Sequence, residues 1–275
     1  MEILPRVHRI TVGKSNIQGL HPPNVYLVMG RRLTFVDTGY NRTDDINVRL
    51  AYLKGLGDPE IAAIAVTHRH IDHAGGASAL HMKTKAPIMS HPDEVATITP
   101  QLEGAKVGKT VADGETLDLG GLTLEFVHTP GHTMGSMCVF IKESGVLFTG
   151  DTILGFGTSV ITPGEGDMAL FLESLHKLLK YDLKTILPGH GSPITDPKAK
   201  IHELINHRLE REAQLLGFMN GGQRTVDDFL QEFYIKAGIN SGLLDLARNQ
   251  IRSHMIKLER EGKVKAVSGD SYRLQ

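Results

Sequence analysis

Thr67-His-Arg-His-Ile-Asp-His-Ala-Gly-Gly76 sets three imidazoles and a carboxylate, His68, His70, Asp72 and His73, within six consecutive positions. Imidazole nitrogen and carboxylate oxygen are borderline donors that suit Zn²⁺, Fe or Mn. Four of them exceed what one four-coordinate ion with an open position takes up. The spacing therefore predicts a pair of metals. A lone solvated histidine would need no cation, but four ligand-type groups would crowd their charges and dipoles together for no gain without one.

The residues before the cluster, Ile61-Ala-Ala-Ile-Ala-Val66, form a short apolar run behind Gly57-Asp58-Pro59 and read as a buried strand. The ligand-type residues then stand just past its carboxyl end, where α/β proteins gather their functional loops on a rigid sheet. Ala74, Gly75, Gly76 and Ala77 follow, small enough for a helix to start close by.

Three later positions repeat the pattern of an apolar run, a glycine and a ligand-type residue. They are His132 in Val127-His-Thr-Pro-Gly-His-Thr133, Asp151 in Leu147-Phe-Thr-Gly-Asp-Thr152, and His190 in Ile186-Leu-Pro-Gly-His-Gly191. A glycine there permits a positive φ and a sharp turn, so the next side chain is presented at the sheet's end. Four strand ends thus offer seven donors.

With these residues the chain resembles the metallo-β-lactamase-fold hydrolases, over roughly residues 5 to 195, through the pattern His-x-His-x-Asp-His followed by a distant His, Asp and His. The resemblance implies His68, His70 and His132 on one divalent ion and Asp72, His73 and His190 on a second, with Asp151 bridging them. Zinc is the first choice of ion, with Mn or Fe as alternatives. It also implies a bridging hydroxide as nucleophile, oriented by Asp72 as the catalytic carboxylate. Asp37, in Leu33-Thr-Phe-Val-Asp-Thr-Gly39, matches a family position that orients a ligand histidine; a turn-capping aspartate before Gly39 is the alternative. Where two subclasses of true β-lactamase carry Cys, this chain has Asp151, the bridging-carboxylate pattern.

The rest of the chain bounds the answer. It has 275 residues, 40% hydrophobic and 22% charged, with a net charge of −1, as in a soluble globular protein of one large domain plus a small one. No run approaches the roughly 18 to 20 apolar residues that span a bilayer, and the start lacks a signal or transit pattern. A cytoplasmic protein without membrane contact is expected. Cys138, the only cysteine, excludes an intramolecular disulfide and reads as a small buried hydrophobe.

A hairpin is expected at Val25 to Met29 and Leu33 to Asp37, and helices at Asp44 to Leu56 and Asp167 to Leu179. Further strands are expected at Ala86 to Ser90, Leu122 to Val127, Ser136 to Lys142, Val146 to Thr149 and Thr185 to Leu187. The resemblance turns this alternation into a four-layer αβ/βα sandwich with the metals at one edge. Two irregular stretches, Val12 to Pro23 and Leu154 to Gly166, are candidate rims of the site.

From Asp196-Pro197 the texture becomes helical, dividing the chain into a catalytic domain, 1–195, and a C-terminal module, 196–275. Lys198 to Phe218 reads as a helix, and Thr225 as the N-cap of a second. Leu244, Ala247, Ile251, Met255 and Leu258 form the stripe of a third, before a short hairpin. That is the order of a winged-helix module. It resembles the appendage of the lactamase-like endoribonuclease branch, which makes single-stranded RNA the favoured substrate and implies a dinuclear metal-dependent hydrolase. Only 38 residues separate Asp151 from His190, too few for the extra domain of the large RNA nucleases. Between Arg248 and Arg273 stand seven basic residues against three acidic ones, which permits contact with phosphate without requiring it.

The runner-up is hydrolysis of small thioesters or lactones, as in glyoxalase II-like or lactonase-like enzymes. A mononuclear iron persulfide dioxygenase using His68, His132 and Asp151, a weak β-lactamase, or a protein that chiefly binds nucleic acid are more distant readings. The expectation extends to a homodimer.

Overall fold

Both faces of the strand that opens the expected hairpin are apolar, and the computed structural model, which describes residues 1–11 and 21–275, shows why. β1 (Glu2–Leu4), β2 (Val7–Thr11), β3 (Asn24–Met29) and β4 (Leu33–Val36) run antiparallel. β5 (Ile61–Ala65), β6 (Ile88–Ser90) and β7 (Val107–Thr110) continue from β4 in parallel, completing a seven-stranded sheet. Tyr26 and Val28 point to one side and Val25 and Leu27 to the other, as the two-residue period of a strand demands. Each face meets a different layer.

The second sheet has the order β12-β11-β10-β9-β8, from β8 (Thr116–Asp118), β9 (Thr123–His128), β10 (Met137–Ile141), β11 (Val146–Gly150) and β12 (Thr185–Pro188). Phe126, Val139 and Phe148 of this sheet pack against Tyr26, Val36 and Ala65 of the first, forming the core between the sheets. Outside the first sheet lie α1 (Thr43–Gly55), the short α2 (Ile71–Ala74), α3 (Ala77–Thr84) and α4 (Val95–Ile98). Their Leu53, Leu80 and Ile98 cover its outer face. Outside the second sheet, α5 (Met168–Leu178) and the first half of α6 (Pro197–Phe218) bury Phe171, Leu175, Ile201 and Leu204. The result is a mixed α/β sandwich of four layers followed by C-terminal helices. Helix α5 starts where Asp167 accepts hydrogen bonds from the amides of Ala169 and Leu170.

The strands β1, β2, β7 and β8 lack a sequence signature. β1, β7 and β8 lie at sheet edges, and β7 exposes three of its four residues; β2 is interior, but its Val7 and Ile10 face opposite sides with His8 and Arg9 between them, so no apolar alternation marks it. The hairpin, the helices α1, α5 and α6 and strands β9 to β12 lie where their periodicity predicts, within two residues at each end.

Helix α6 serves two cores. Its second half places Leu215 beside Val226 and Phe229 of α7 (Val226–Leu230), and beside Ile251 and Met255 of α8 (Leu244–Arg260). Thr225 caps α7 through a reciprocal pair with Asp228. A three-stranded antiparallel sheet of β13 (Arg224–Thr225), β14 (Val264–Ser268) and β15 (Ser271–Leu274), ordered β13-β15-β14, closes this C-terminal part. Cys138 is buried. No helix among the described residues is long and apolar enough to cross a membrane.

Candidate metal centre

The polypeptide leaves β5 through Thr67 and turns immediately, so that His68 and His70 precede α2 while Asp72 and His73 ride on it. His132 follows β9, Asp151 follows β11 and His190 follows β12. All seven side chains converge at one edge of the sandwich. His70 Nδ1 lies 3.0 Å from both His68 Nε2 and His132 Nε2, so three nitrogens face a common point. In the second group His190 Nε2 is 3.2 Å from Asp72 Oδ2 and 3.3 Å from His73 Nε2. Asp151 stands between the groups, with Oδ1 3.3 Å from His73 Nε2 and Oδ2 3.9 Å from His132 Nε2.

Two observations show that this donor set fits divalent ions. Asp151 Oδ1 is buried, and its neighbour His73 Nε2 at 3.3 Å makes no well-aligned hydrogen bond to it among the described residues, an arrangement that costs free energy unless a cation meets it. The imidazoles are also turned for ligation, because their outer nitrogens are engaged elsewhere. His73 Nδ1 donates to Asp37 Oδ2 at 2.7 Å, His132 Nδ1 to the Val160 carbonyl at 2.8 Å, and His190 Nδ1 to the His21 carbonyl at 2.8 Å. His68 Nδ1 meets Thr67 Oγ1, which itself donates to Asp37 Oδ2 at 2.9 Å. Such partners fix the tautomer and aim the remaining lone pair inward.

Asp37 thereby touches both groups. It accepts from the Thr67 amide through Oδ1 and reaches His73 directly and His68 through Thr67. Its φ of 60° is unusual for a residue other than glycine and turns the chain sharply at the end of β4.

The electrostatics divide the site in two. Burial, reinforced by the neighbouring imidazoles, lowers His68 well below its ordinary value and pushes His132 down to about 4, so both offer neutral nitrogens. Burial opposes a charge on His73 as well, but Asp151, Asp37 and Asp72 raise it well above the ordinary value. Burial would raise Asp151, yet His73 and His190 hold it well below the carboxylate range. The carboxylates around His73 thus call for positive charge, which a proton supplies when no metal is bound. A divalent ion would have to displace that proton and the one favoured on His190, whose value is also raised. Zinc affinity is expected to fall with pH, by up to about tenfold per unit for each displaced proton below the raised values. Zinc titrations between pH 8 and pH 5.5 check this, and a flat profile contradicts it.

Glycines hold the candidate donors close by two different means. Gly150 has a positive φ of 46°, and a Cβ there would sit 2.4 Å from Thr67 Oγ1. Gly189 has no positive φ, contrary to the turn expected before His190; its role is steric. A Cβ at 189 would lie 2.6 Å from both Asp151 Oδ1 and His73 Cε1. Gly189→Ala is therefore expected to displace these two donors and lower zinc content per folded chain. Metal analysis beside circular dichroism would show it.

Several supporting residues carry no local sequence signal. Glu94, fully buried, accepts from Arg69 Nε at 2.7 Å, from Thr133 Oγ1 at 2.9 Å and from the Gly135 amide at 2.8 Å. Arg69 separates His68 from His70, and Thr133 follows His132, so one carboxylate ties together the two segments bearing the first trio. Arg49, also buried, donates to the carbonyls of Thr38 and Tyr40 and fixes the turn after Asp37. A third grouping, His91, Asp93 and His128, has its rings stacked face to face at 3.9 Å. Lone pairs lie in the ring planes, so these two rings do not aim at one ion.

A cavity of about 460 Å³ opens onto His70, Asp72, His132, Asp151 and His190. The segment from Leu154 to Glu165 forms one wall, Tyr40 and Ile71 another, and Leu246 of α8 joins them. Of the other candidate rim, Val12 to Pro23, residues 12–20 lie outside the described residues.

Comparison with known proteins agrees with this architecture. The pattern of the metallo-beta-lactamase superfamily matches residues 19–190. The beta-lactamase-like protein 2 homolog of Drosophila melanogaster is 31% identical, over 96% of this chain and 94% of its own. An atrochrysone carboxyl ACP thioesterase of Passalora fulva is 32% identical, over 85% of this chain and 69% of its own. Among solved structures, a beta-lactamase domain protein from Burkholderia ambifaria superposes with a TM-score of 0.88 at 17% identity, covering 100% of this chain and 94% of that one. A metallo-beta-lactamase family protein from Thermus thermophilus gives 0.81 at 23%, with both chains covered completely. The structural likenesses carry the fold, and the matched pattern with the Drosophila relative carries the family: the chain belongs to the metallo-beta-lactamase superfamily and is a hydrolase of it.

Proposed function

We propose that the chain hydrolyses a small thioester or lactone whose acyl part is apolar, with one divalent ion held by His68, His70 and His132 and a second by Asp72, His73 and His190. Asp151 is the bridge and Asp37 orients the ligand rings. The observation that carries the substrate class is the cavity wall. Ile71, Leu154, Phe156, Val160 and Leu246 line it, and no lysine or arginine does among the described residues. An apolar wall favours an acyl chain by about 0.8 kcal/mol for each methylene it covers, whereas a phosphodiester backbone needs cations. Relatives named as thioesterases support the same choice.

Single-stranded RNA, favoured on the sequence, has less support. The succession of α6, α7, α8 and the β14–β15 hairpin supports a winged-helix reading, but α8 is covered by the sandwich, with Ser253 and Gln250 bonded to Ile161 and Arg260 paired with Asp167. Of the seven basic residues from Arg248 to Arg273, five pair with carboxylates: Arg248, Arg252, Lys257, Arg260 and Lys263. Only Lys265 and Arg273 remain, facing each other across β14 and β15.

Two divalent ions held by these residues would acidify a water toward a pKa of about 7 and polarise a carbonyl oxygen. The protein's share is positioning. Asp72 lines the cavity, and although burial opposes its charge, His73 and His190 keep it below the usual carboxylate range. It stays ionised to accept a hydrogen bond from the attacking water and aim it. The apolar wall aligns the acyl chain and excludes bulk water.

The test is one purified preparation assayed against acyl-thioesters of increasing chain length, a lactone, a cephalosporin and single-stranded RNA, with metals quantified in parallel. The expected result is two zinc, manganese or iron ions per chain and a kcat/KM that rises about threefold to fourfold per methylene until the cavity is filled. Metal-dependent RNA cleavage with no thioester or lactone turnover would overturn the substrate proposal. One iron per chain with persulfide oxidation would overturn the reaction class.

A further inference from the structure

The wall segment between Leu154 and Gly166 is anchored by the C-terminal helices. Both backbone groups of the buried Ile161 bond to α8: its amide donates to Gln250 Oε1 at 3.1 Å, and its carbonyl accepts from Ser253 Oγ at 2.6 Å. Two residues earlier, the Ser159 carbonyl accepts from the buried guanidinium of Arg208 on α6. Val160 stands between these anchors. Its carbonyl accepts the Nδ1 proton of His132, whose Nε2 faces His70 Nδ1 at 3.0 Å.

From this chain of contacts we infer that Gln250 and Ser253 are positioning residues for the metal centre, setting the ring of His132 through the carbonyl of Val160. The inference rests on the proposed role of His132 as a ligand. Gln250 and Ser253 are 8% and 5% exposed, and both side chains bond to the same residue, Ile161. Gln250 Nε2 is buried with no partner among the described residues, so the bond from the Ile161 amide to Oε1 is the contact that anchors this side chain. A carbonyl held from both sides cannot follow the ring if it swings. The ring therefore keeps the orientation in which Nε2 points at the trio, and losing such an outer partner typically weakens metal binding about 10–100-fold. The C-terminal part would then do more than cover the sandwich. It would complete the geometry of the first trio.

A simple packing role predicts a different result, and zinc competition against a chromophoric chelator separates the two. The pair Gln250→Met and Ser253→Ala removes both bonds at nearly constant volume. It is placed in a His190→Ala background, which breaks the second group and keeps the first trio with Asp151 whole, and in a His132→Ala background, which breaks the first trio and keeps the second group with Asp151 whole. We expect zinc affinity to fall about 10–100-fold in the first background and to stay unchanged in the second. Ser253→Thr, which keeps the hydroxyl, should restore most of its share, and Arg252→Ala, whose partner Asp270 lies outside the contact, should change nothing.

A drop in thermal stability with unchanged zinc affinity in the His190→Ala background would overturn the inference in favour of packing alone. If the double substitution does not fold, Ser253→Ala by itself is read the same way, with a smaller loss supporting the inference and no loss overturning it. Two zinc ions retained at full affinity by His132→Ala alone would sink the ligand assignment and this inference together. Zinc lost by His132→Ala but not by Gln250→Met with Ser253→Ala would sink the inference only.

Discussion

Asp151→Ala is expected to reduce hydrolysis to the uncatalysed level and to abolish binding of the zinc pair, while the circular dichroism spectrum stays that of the parent. The carboxylate lies between the two trios, with oxygens 3.3 Å from His73 Nε2 and 3.6 Å from His190 Nε2. Without metal its partners are the imidazoles of His73 and His190, which can shed their protons when the carboxylate is gone, so no uncompensated charge is left buried and the fold is kept. Removing Asp151 takes away the carboxylate that stands between the groups and leaves Asp72 as the one carboxylate among the seven donors, too little negative charge to hold two adjacent dications. Backbone support at this position comes from Gly150 and from the bond between the Gly189 amide and the Gly150 carbonyl, which the substitution leaves intact. His70→Ala is expected to do the same through the first trio alone. Zinc counting by mass spectrometry under native conditions, alongside turnover of the best thioester, reads both. Undiminished turnover in either variant would overturn the metal-site assignment.

Glu94→Ala is the second large effect, and it acts on stability as well as on the site. The carboxylate is fully buried and ion-paired with Arg69, whose side chain is 16% exposed. Deleting one partner of a buried pair costs about 3–5 kcal/mol because the other charge is left in a poor solvent. The lower end is expected, since Arg69 retains some access to water. Thr133 and the Gly135 amide lose their acceptor at the same time. The segments holding His68, His70 and His132 are then no longer cross-linked, so zinc affinity should fall in the same variant. Glu94→Gln keeps the shape and one acceptor, and should retain more of both quantities. Urea unfolding of the metal-free chain, with zinc competition on the folded form, separates the two losses. Equal stability of Glu94→Ala and the parent would show that the buried pair does not act as argued.

Asp151 and Glu94 differ in how far each could be read without a structure. Asp151 is announced by its own neighbours, an apolar run and a glycine, and by a family pattern that leaves few alternatives. Glu94 has no such mark in Ser90-His-Pro-Asp-Glu94, because its partners are 25, 39 and 41 residues away along the chain. Strand periodicity behaves alike. The buried strands β3, β5 and β10 carry their apolar residues openly, while the edge strands β1, β7 and β8 are half exposed and chemically plain. The glycine before His190 illustrates a middle case: its presence was legible, but the reason for it, contact with Asp151 and His73, appears only when the strands are side by side.

What the amino-acid sequence determined by itself is the donor set and its scaffold: seven ligand-type side chains at strand ends, on strands and helices whose periods are written locally in the chain. Tertiary structure alone decided how those donors are aimed and what surrounds them. The carbonyls of Val160 and His21, the carboxylate of Glu94 and the apolar wall reaching to Leu246 come from segments far apart in the chain. Ligand chemistry depends on residue type and short spacing, which one strand and its turn can encode. Orientation and cavity shape depend on which distant surfaces meet, and packing of the whole chain sets that.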